Sequence, residues 1–288
     1  MIPSAFAYYA PTSVAEAISL LTEHGDAAKL LAGGHSLLPA MKLRLAAPEL
    51  LIDLGKIAEL RTITVTANEV AIGSMATWAA VAQHPGVLAA APVLAEAITQ
   101  IGDIQVRNRG TLGGSLAHND PAADAPAVIL ALDATLTLRG PRGERTLAAR
   151  DFFVDMLATA LEPDEVLTTI RFRPLATGAG AAYRKLAHPA SRYAIVGVAA
   201  YVQVAEGRVT ACRVAVTGAG PVAVHQPSVE QALVGAKTTE AALIAACSAA
   251  GDDLDILGDM HASEAYRRAM VKVYARRALQ AAMAQATA

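Results

Sequence analysis

The stretch TLGGSLAHNDPAADAPAVIL, Thr111 to Leu130, decides how the rest of the chain reads. It opens on adjacent glycines, Gly113 and Gly114, flanked by the hydroxyls of Thr111 and Ser115. Two residues without Cβ atoms can adopt positive φ and bring main chain close to a ligand. Backbone N–H groups turned inward at such a turn form a concave anion site suited to phosphate oxygens. Asp124 then precedes Pro126 and the apolar run Ala127 to Leu132, the pattern of a helix start with Asp124 near its N-cap. A phosphate cradle followed by a carboxylate matches a nucleotide that carries a ribose or ribityl chain. By itself the glycine pair also reads as a plain turn.

A second copy lies upstream. Lys29–Leu31 reads as a short strand entering Ala32-Gly33-Gly34-His35-Ser36, ahead of a helix predicted over Leu37–Leu45. Ser36 repeats the role of Ser115, and helix N–H groups after the turn also face an anion placed there. Neither loop has the third glycine of a Rossmann fingerprint or a Walker lysine. Two hydroxyl-flanked glycine pairs in one chain favour a pyrophosphate-type ligand over two unrelated connections. His118, Asn119, Asp120 and Asp124 offer oxygen and nitrogen donors, but carboxylates four apart beside a glycine turn read as capping and loop-fixing groups rather than metal ligands. There is no G-x-S-x-G elbow and no H-E-x-x-H, so no catalytic residue is assigned.

Around these loops the pattern is α+β. Ser13 and Glu16 form a capping box for a helix from Val14, which Gly25 stops. Leu50–Leu54 reads as a buried strand, and Thr62–Thr66 with Val70–Gly73 as a hairpin. Helices are predicted over Thr77–Gln83 and Val93–Ile101, then a β-meander with strands at Thr135–Arg139, Arg145–Leu147 and Glu165–Arg173. RPLATGAG, Arg173 to Gly180, is a boundary by composition. Strands follow at Tyr183–Leu186, Tyr193–Val204 and Arg208–Thr217, then helices at Val229–Leu233, Thr239–Ala250 and Ser263–Ala284, the last read as an exposed packing helix.

Composition narrows the function. With 288 residues, 54% of them hydrophobic, the chain has material for two or three packed units. A net charge of −2 gives no basic face for nucleic acid. No window approaches the roughly 20 apolar residues of a membrane span, and MIPSAFAYYAPTS lacks the basic start of a secretory signal, which leaves the cytoplasm. Cys212 and Cys247 are read as reduced thiols rather than a disulfide. Two thiolates cannot hold an iron–sulfur cluster of the four-thiolate kind, so any such chemistry belongs to a partner.

AGGHS at 32–36 with the following LLPAMKLRLAAPELLIDL, and IQVRNRGTLGGSLAHNDPAADAPA at 104–127, resemble the FAD-binding medium subunit of molybdenum hydroxylases, closest to the aerobic carbon monoxide dehydrogenase branch and its relatives acting on xanthines and N-heterocycles. The resemblance covers the whole chain. It implies an α+β fold of the vanillyl-alcohol-oxidase type: an N-terminal α/β subdomain over residues 1–56, a second FAD-binding subdomain over 57–175, and a C-terminal domain over 176–288 built on a three-stranded antiparallel sheet with helices. It implies FAD between the first two, the pyrophosphate held by Ala32, Gly33, Gly34, His35 and Ser36 on one side and by Thr111, Leu112, Gly113, Gly114 and Ser115 on the other. Asp124, Ile101, Leu167 and Lys185 match further flavin contacts of the family, and Tyr193 an aromatic near the isoalloxazine. The implied partners are a large subunit with the molybdenum cofactor and a small subunit with two [2Fe–2S] clusters, assembled as (αβγ)2. Electrons extracted at molybdenum would pass through the clusters to FAD and on to an external acceptor. Two other classes stay open on the residues alone: a stand-alone FAD-dependent oxidase or dehydrogenase, and a non-catalytic nucleotide-binding module.

Overall fold

The computed structural model describes residues 2–288. Among the described residues, three sheets of three or more strands follow one another along the chain, with a small two-stranded ribbon beside them. The first is parallel, in the order β1 (Ala7–Tyr9), β3 (Leu50–Asp53), β2 (Ala28–Leu31). Helix α1 (Val14–His24) starts where the capping box predicts it: Ser13 accepts from the Glu16 N–H at 3.2 Å, and Glu16 accepts from the Thr12 N–H at 2.8 Å. Its buried stripe of Val14, Ala17, Ile18 and Leu21 shares one core with Leu50 and Ile52 of β3. Helix α2 (Leu37–Lys42) follows the first glycine pair.

The second sheet holds β4 (Ile63–Val65), β5 (Val70–Gly73), β6 (Thr135–Gly140), β7 (Gly143–Ala148) and β10 (Val166–Phe172). The expected meander is not formed. Strand β10 enters the middle of the sheet, order β4-β5-β10-β6-β7, and pairs antiparallel with both β5 and β6. The physical reason is the layer of short helices inserted between β5 and β6: α3 (Trp78–Gln83), α4 (Pro85–Ala90), α5 (Pro92–Thr99), α6 (Ile104–Arg109), α7 (Leu112–His118) and α8 (Ala125–Ala131). Their Trp78, Leu94, Ile98, Leu112, Leu116 and Val128 share a core with Ile72, Leu136 and Ile170 of three neighbouring strands. Helix α9 (Ala149–Phe152) leads into the small ribbon β8 (Phe153–Asp155) with β9 (Ala158–Thr159).

In the third sheet the expected strands are β11 (Ala179–Ala187), β12 (Ala194–Ala205) and β13 (Arg208–Thr217), joined by a two-residue fourth, β14 (Val224–His225). The sheet is buried on both sides, and the period-2 alternation of a strand sorts its residues. Tyr183, Ala199 and Tyr201 enter the helix-layer core, whereas Ala182, Val198, Ala200 and Val202 meet α10 (Pro227–Leu233), α11 (Glu240–Cys247) and α12 (Glu264–Ala286). Helix α12 is therefore not the exposed helix its composition suggests. Val271, Ala275, Ala278, Leu279 and Ala282 are fully buried. Small side chains let it settle so close to β11 that a Cβ on Gly180 would stand 2.1 Å from the Ala282 carbonyl oxygen. Cys212 and Cys247 are free and buried in this core, which pushes their thiols up to about 12 and about 11.

Candidate functional site

A cleft of about 680 Å³ opens where the first two sheets meet the loop that precedes β12. This volume lies within the ~300–1,000 Å³ usual for cofactor sites. Ala32, Gly33, Gly34, His35, Ser36, Ile101, Thr111, Gly113, Gly114, Ser115, Asp124, Leu167 and Tyr193 all line it. Segments about eighty residues apart in sequence are thus brought to one cavity. Two of the expected residues stay off its wall. Leu112 is fully buried and turns its side chain into the helix-layer core, and Lys185 stands behind Asp124.

The two glycine pairs differ. In the first, Gly34 has φ 78°, a left-handed conformation that suits glycine. The N–H groups of Gly34, His35 and Ser36 have no acceptor among the described residues. The second pair is not a turn of positive φ but the first turn of α7. Thr111 is its N-cap, accepting from the Gly114 N–H at 3.1 Å. The other N–H groups of that turn are taken as well: Leu112 by the Ala76 carbonyl at 3.1 Å, Gly113 by Ser74 at 2.9 Å and Ser115 by Thr111 at 3.2 Å. What this pair provides is room. A Cβ on Gly113 would lie 2.4 Å from the Ser74 Cβ, and one on Gly114 would lie 2.6 Å from the Thr111 Oγ1 and 3.1 Å from the Ala32 Cβ. Gly33 in turn packs against the main chain of Arg109 and Gly110, where a Cβ would come within 2.3 Å of the Arg109 carbonyl oxygen. Close packing thus calls for glycine at three of these positions: Gly33 on the main chain of Arg109 and Gly110, Gly113 on Ser74, and Gly114 on Thr111 and Ala32.

Asp124 does not cap α8, as the sequence suggests; its own backbone is already helical and its side chain makes no capping bond. It is instead buried among charged partners. Tyr183, fully enclosed, donates its hydroxyl to Oδ1, and the Lys185 ammonium lies 2.9 Å from Oδ1 and 3.0 Å from Oδ2. Burial outweighs both partners and holds the Asp124 carboxyl above its ordinary value, while the same burial pulls Lys185 down. Lys185 also donates to the carbonyls of Gln100 at 2.9 Å and Arg192 at 2.7 Å, so its three N–H donors all have protein partners. Arg192 has φ 63°, rare for a residue with a Cβ. The lysine thus ties the end of α5, the carboxylate and a strained loop into one unit. Tyr193, next in that loop, is 44% exposed at the mouth of the cleft and precedes β12 by one residue. The Asp120–Asp124 loop is stitched to the third sheet by Thr217, whose hydroxyl donates to the carbonyls of Pro121 at 3.0 Å and Ala123 at 2.7 Å. Asn119 ends α7 in the left-handed conformation and holds the β8–β9 ribbon by donating to the carbonyls of Asp155 and Ala158.

Sequence reading overlooks Ser74, Tyr183 and the wall Leu161–Val166. Tyr183 carries a usable signal, because residues two apart on a strand share a face and Lys185 follows it at that spacing. The wall is anchored by Glu165, which receives Nε and Nη2 of Arg145 at 2.7 Å each and the Glu162 N–H at 2.9 Å. Those bonds, Arg145 foremost, hold the Glu165 carboxyl below the ordinary glutamate range. A depressed carboxyl contributes stability above its unfolded pKa, about 4.3, and loses it as pH falls through the folded value. Glu165→Gln should therefore lower Tm by about 2–4 °C at neutral pH, roughly 1 kcal/mol given that Arg145 is partly solvated. The deficit should shrink below pH ~4. Melting curves across pH check it, and a constant deficit at every pH would remove the charge from the explanation.

Comparison with known proteins gives this geometry its context. Residues 4–175 match the model of the FAD binding domain in molybdopterin dehydrogenase, and residues 181–282 that of the CO dehydrogenase flavoprotein C-terminal domain. The chain belongs to this family. It is similar to the carbon monoxide dehydrogenase medium chain of Hydrogenophaga pseudoflava, with 43% identity over 99% of both chains. Among solved structures, a carbon monoxide dehydrogenase from the same organism superposes with a TM-score of 0.96 at 44% identity, covering 99% of each chain. Quinoline 2-oxidoreductase from Pseudomonas putida 86 gives 0.94 at 32% identity over the full length of both. The α+β flavoprotein fold expected of a molybdenum hydroxylase medium subunit is thus the fold the chain has, and the chain is the FAD-containing subunit of a heteromeric oxidoreductase. No described helix is long and apolar enough to cross a membrane.

Proposed function

We propose that FAD occupies the cleft, with its pyrophosphate between Ala32–Ser36 and Thr111–Ser115 and its ring system by Ile101, Leu167, Asp124 and Tyr193. The observation that carries this reading is the run of unpartnered N–H groups at Gly34, His35 and Ser36, in a cleft that Gly113 and Gly114 also line, close-packed on Ser74, Thr111 and Ala32. Donors without protein acceptors suit an anion. Ser36 and Ser115 add hydroxyls at either side. Lys185 positions rather than touches: it neutralises Asp124 and fixes the Arg192 peptide, and so sets where Tyr193 stands.

Bound flavin supplies exchange of single electrons with the iron–sulfur clusters of a small subunit and of electron pairs with an external acceptor. The chain's part is to bind, orient and shield. Substrate choice then rests with a large molybdenum subunit, consistent with relatives of one fold that oxidise substrates as different as carbon monoxide and quinoline. We assign the working state as (αβγ)2 in the cytoplasm, with subdomains over residues 1–56, 57–175 and 176–288. The test is to purify the chain alone and with its partner subunits, titrate both with FAD, and add the substrate of the complex. One FAD per chain in the complex is expected, with the flavin's visible absorbance bleached by substrate only when the large subunit is present. Bleaching in the isolated chain would establish a stand-alone oxidase, and failure to bind FAD in either form would refute the cleft assignment.

A further inference from the structure

Ser74 closes β5 at the point where the two glycine segments pack together. Its main chain is fixed on both sides: its N–H donates to the Thr168 carbonyl at 2.9 Å, and its carbonyl accepts from the Gly113 N–H at 2.9 Å. The next residue is held too, Met75 donating to the Leu60 carbonyl at 2.7 Å. Only the hydroxyl is left to rotate. The residue is 4% exposed, lines the cleft, and its Oγ has no hydrogen-bond partner. Neighbouring hydroxyls do not share this state. Thr111 accepts from the Gly114 N–H, and Thr168 donates to the Thr137 carbonyl at 3.0 Å.

Burying a hydroxyl without a partner is costly, and an alanine would fill the same space against Gly113 at no such cost. The cost is removed if the partner arrives with a ligand. Fold stability therefore gives no reason for serine at this position, and the cleft gives one. We propose that the Ser74 hydroxyl is a further binding residue for the dinucleotide, donating to one of its oxygens where the two glycine segments meet. This rests on the assignment of the cleft to FAD.

The experiment uses Ser74→Ala in the complex with its partner subunits, stripped of flavin and titrated with FAD, with the Tm of the flavin-free form measured alongside. The expected result is a loss of about tenfold in FAD affinity, the usual scale for one hydrogen bond to a charged or strongly polar oxygen, with a flavin-free Tm unchanged or raised. An affinity within twofold of the parent would overturn the proposal. So would a loss accompanied by a flavin-free Tm several degrees lower, because that pairing marks a hydroxyl needed by the fold itself. A parent complex that takes up no FAD would instead refute the cleft assignment, a separate outcome.

Discussion

Gly33→Val should yield a complex that assembles without flavin. Any Cβ at this position lies 2.3 Å from the Arg109 carbonyl oxygen and 2.7 Å from the Gly110 Cα, both main-chain atoms that cannot swing aside. Relief requires the Ala32–Ser36 loop to move away from the α6–α7 connection, and that movement spreads the two walls of the cleft. Overpacking of this kind costs about 1–3 kcal/mol when a small group is added, and the branched valine falls at the upper end. At ~1.4 kcal/mol per factor of ten, FAD affinity should drop at least about a hundredfold. A matched control is Gly207→Val in the β12–β13 hairpin. There the glycine has φ 70° and nothing within 4 Å, so the substitution strains its own backbone and leaves the cleft alone. Flavin content and Tm measured on both variants separate the readings. Equal flavin loss in the two would mean that general destabilisation, not the joint at Gly33, controls retention.

This joint also shows where sequence reading succeeds and where it stops. The positions of both glycine pairs, their hydroxyl neighbours and the strand before the first are local chemistry, and local chemistry is legible. The second pair reads as a left-handed turn because adjacent glycines permit one. What it forms is a helical turn in which Gly113 is demanded by Ser74, a residue about forty positions away, and Gly114 by Thr111 and Ala32. A close approach between distant backbones leaves the same glycine in the sequence as a turn does. Asp124 misleads in the same way. An acid ahead of a proline and an apolar run reads as a cap, and only the third sheet, arriving with Tyr183 and Lys185, turns it into half of a buried ion pair. The place of β10 in the middle of its sheet is likewise fixed by the packing of helices whose short apolar stretches fix no topology of their own.

The ion pair gives the second large effect. Lys185→Met removes a charge from a side chain 1% exposed and leaves the Asp124 carboxylate, 5% exposed, with only the Tyr183 hydroxyl. Removing one member of a buried pair costs about 3–5 kcal/mol, so Tm at neutral pH should fall by roughly 10 °C. The loss should depend on pH. Without the ammonium the Asp124 carboxyl, already raised by burial, rises further. A group whose folded pKa is raised contributes stability below its unfolded pKa and loses it as pH rises through the folded value. The variant should therefore come nearest to the parent in acid and fall away towards neutrality. Adding Asp124→Asn removes the unpaired charge and should restore most of the Tm, as expected when both members of a buried pair are neutralised together. Restoring stability will not restore the loop. The Arg192 carbonyl still lacks its donor, and the strained φ at that residue has nothing else from β11 to hold it. Amide exchange at 188–193 should stay fast in both variants, with weakened flavin retention to match. A double variant whose loop regained parental protection would show that Lys185 serves only to neutralise Asp124, and that the position of Tyr193 is set elsewhere.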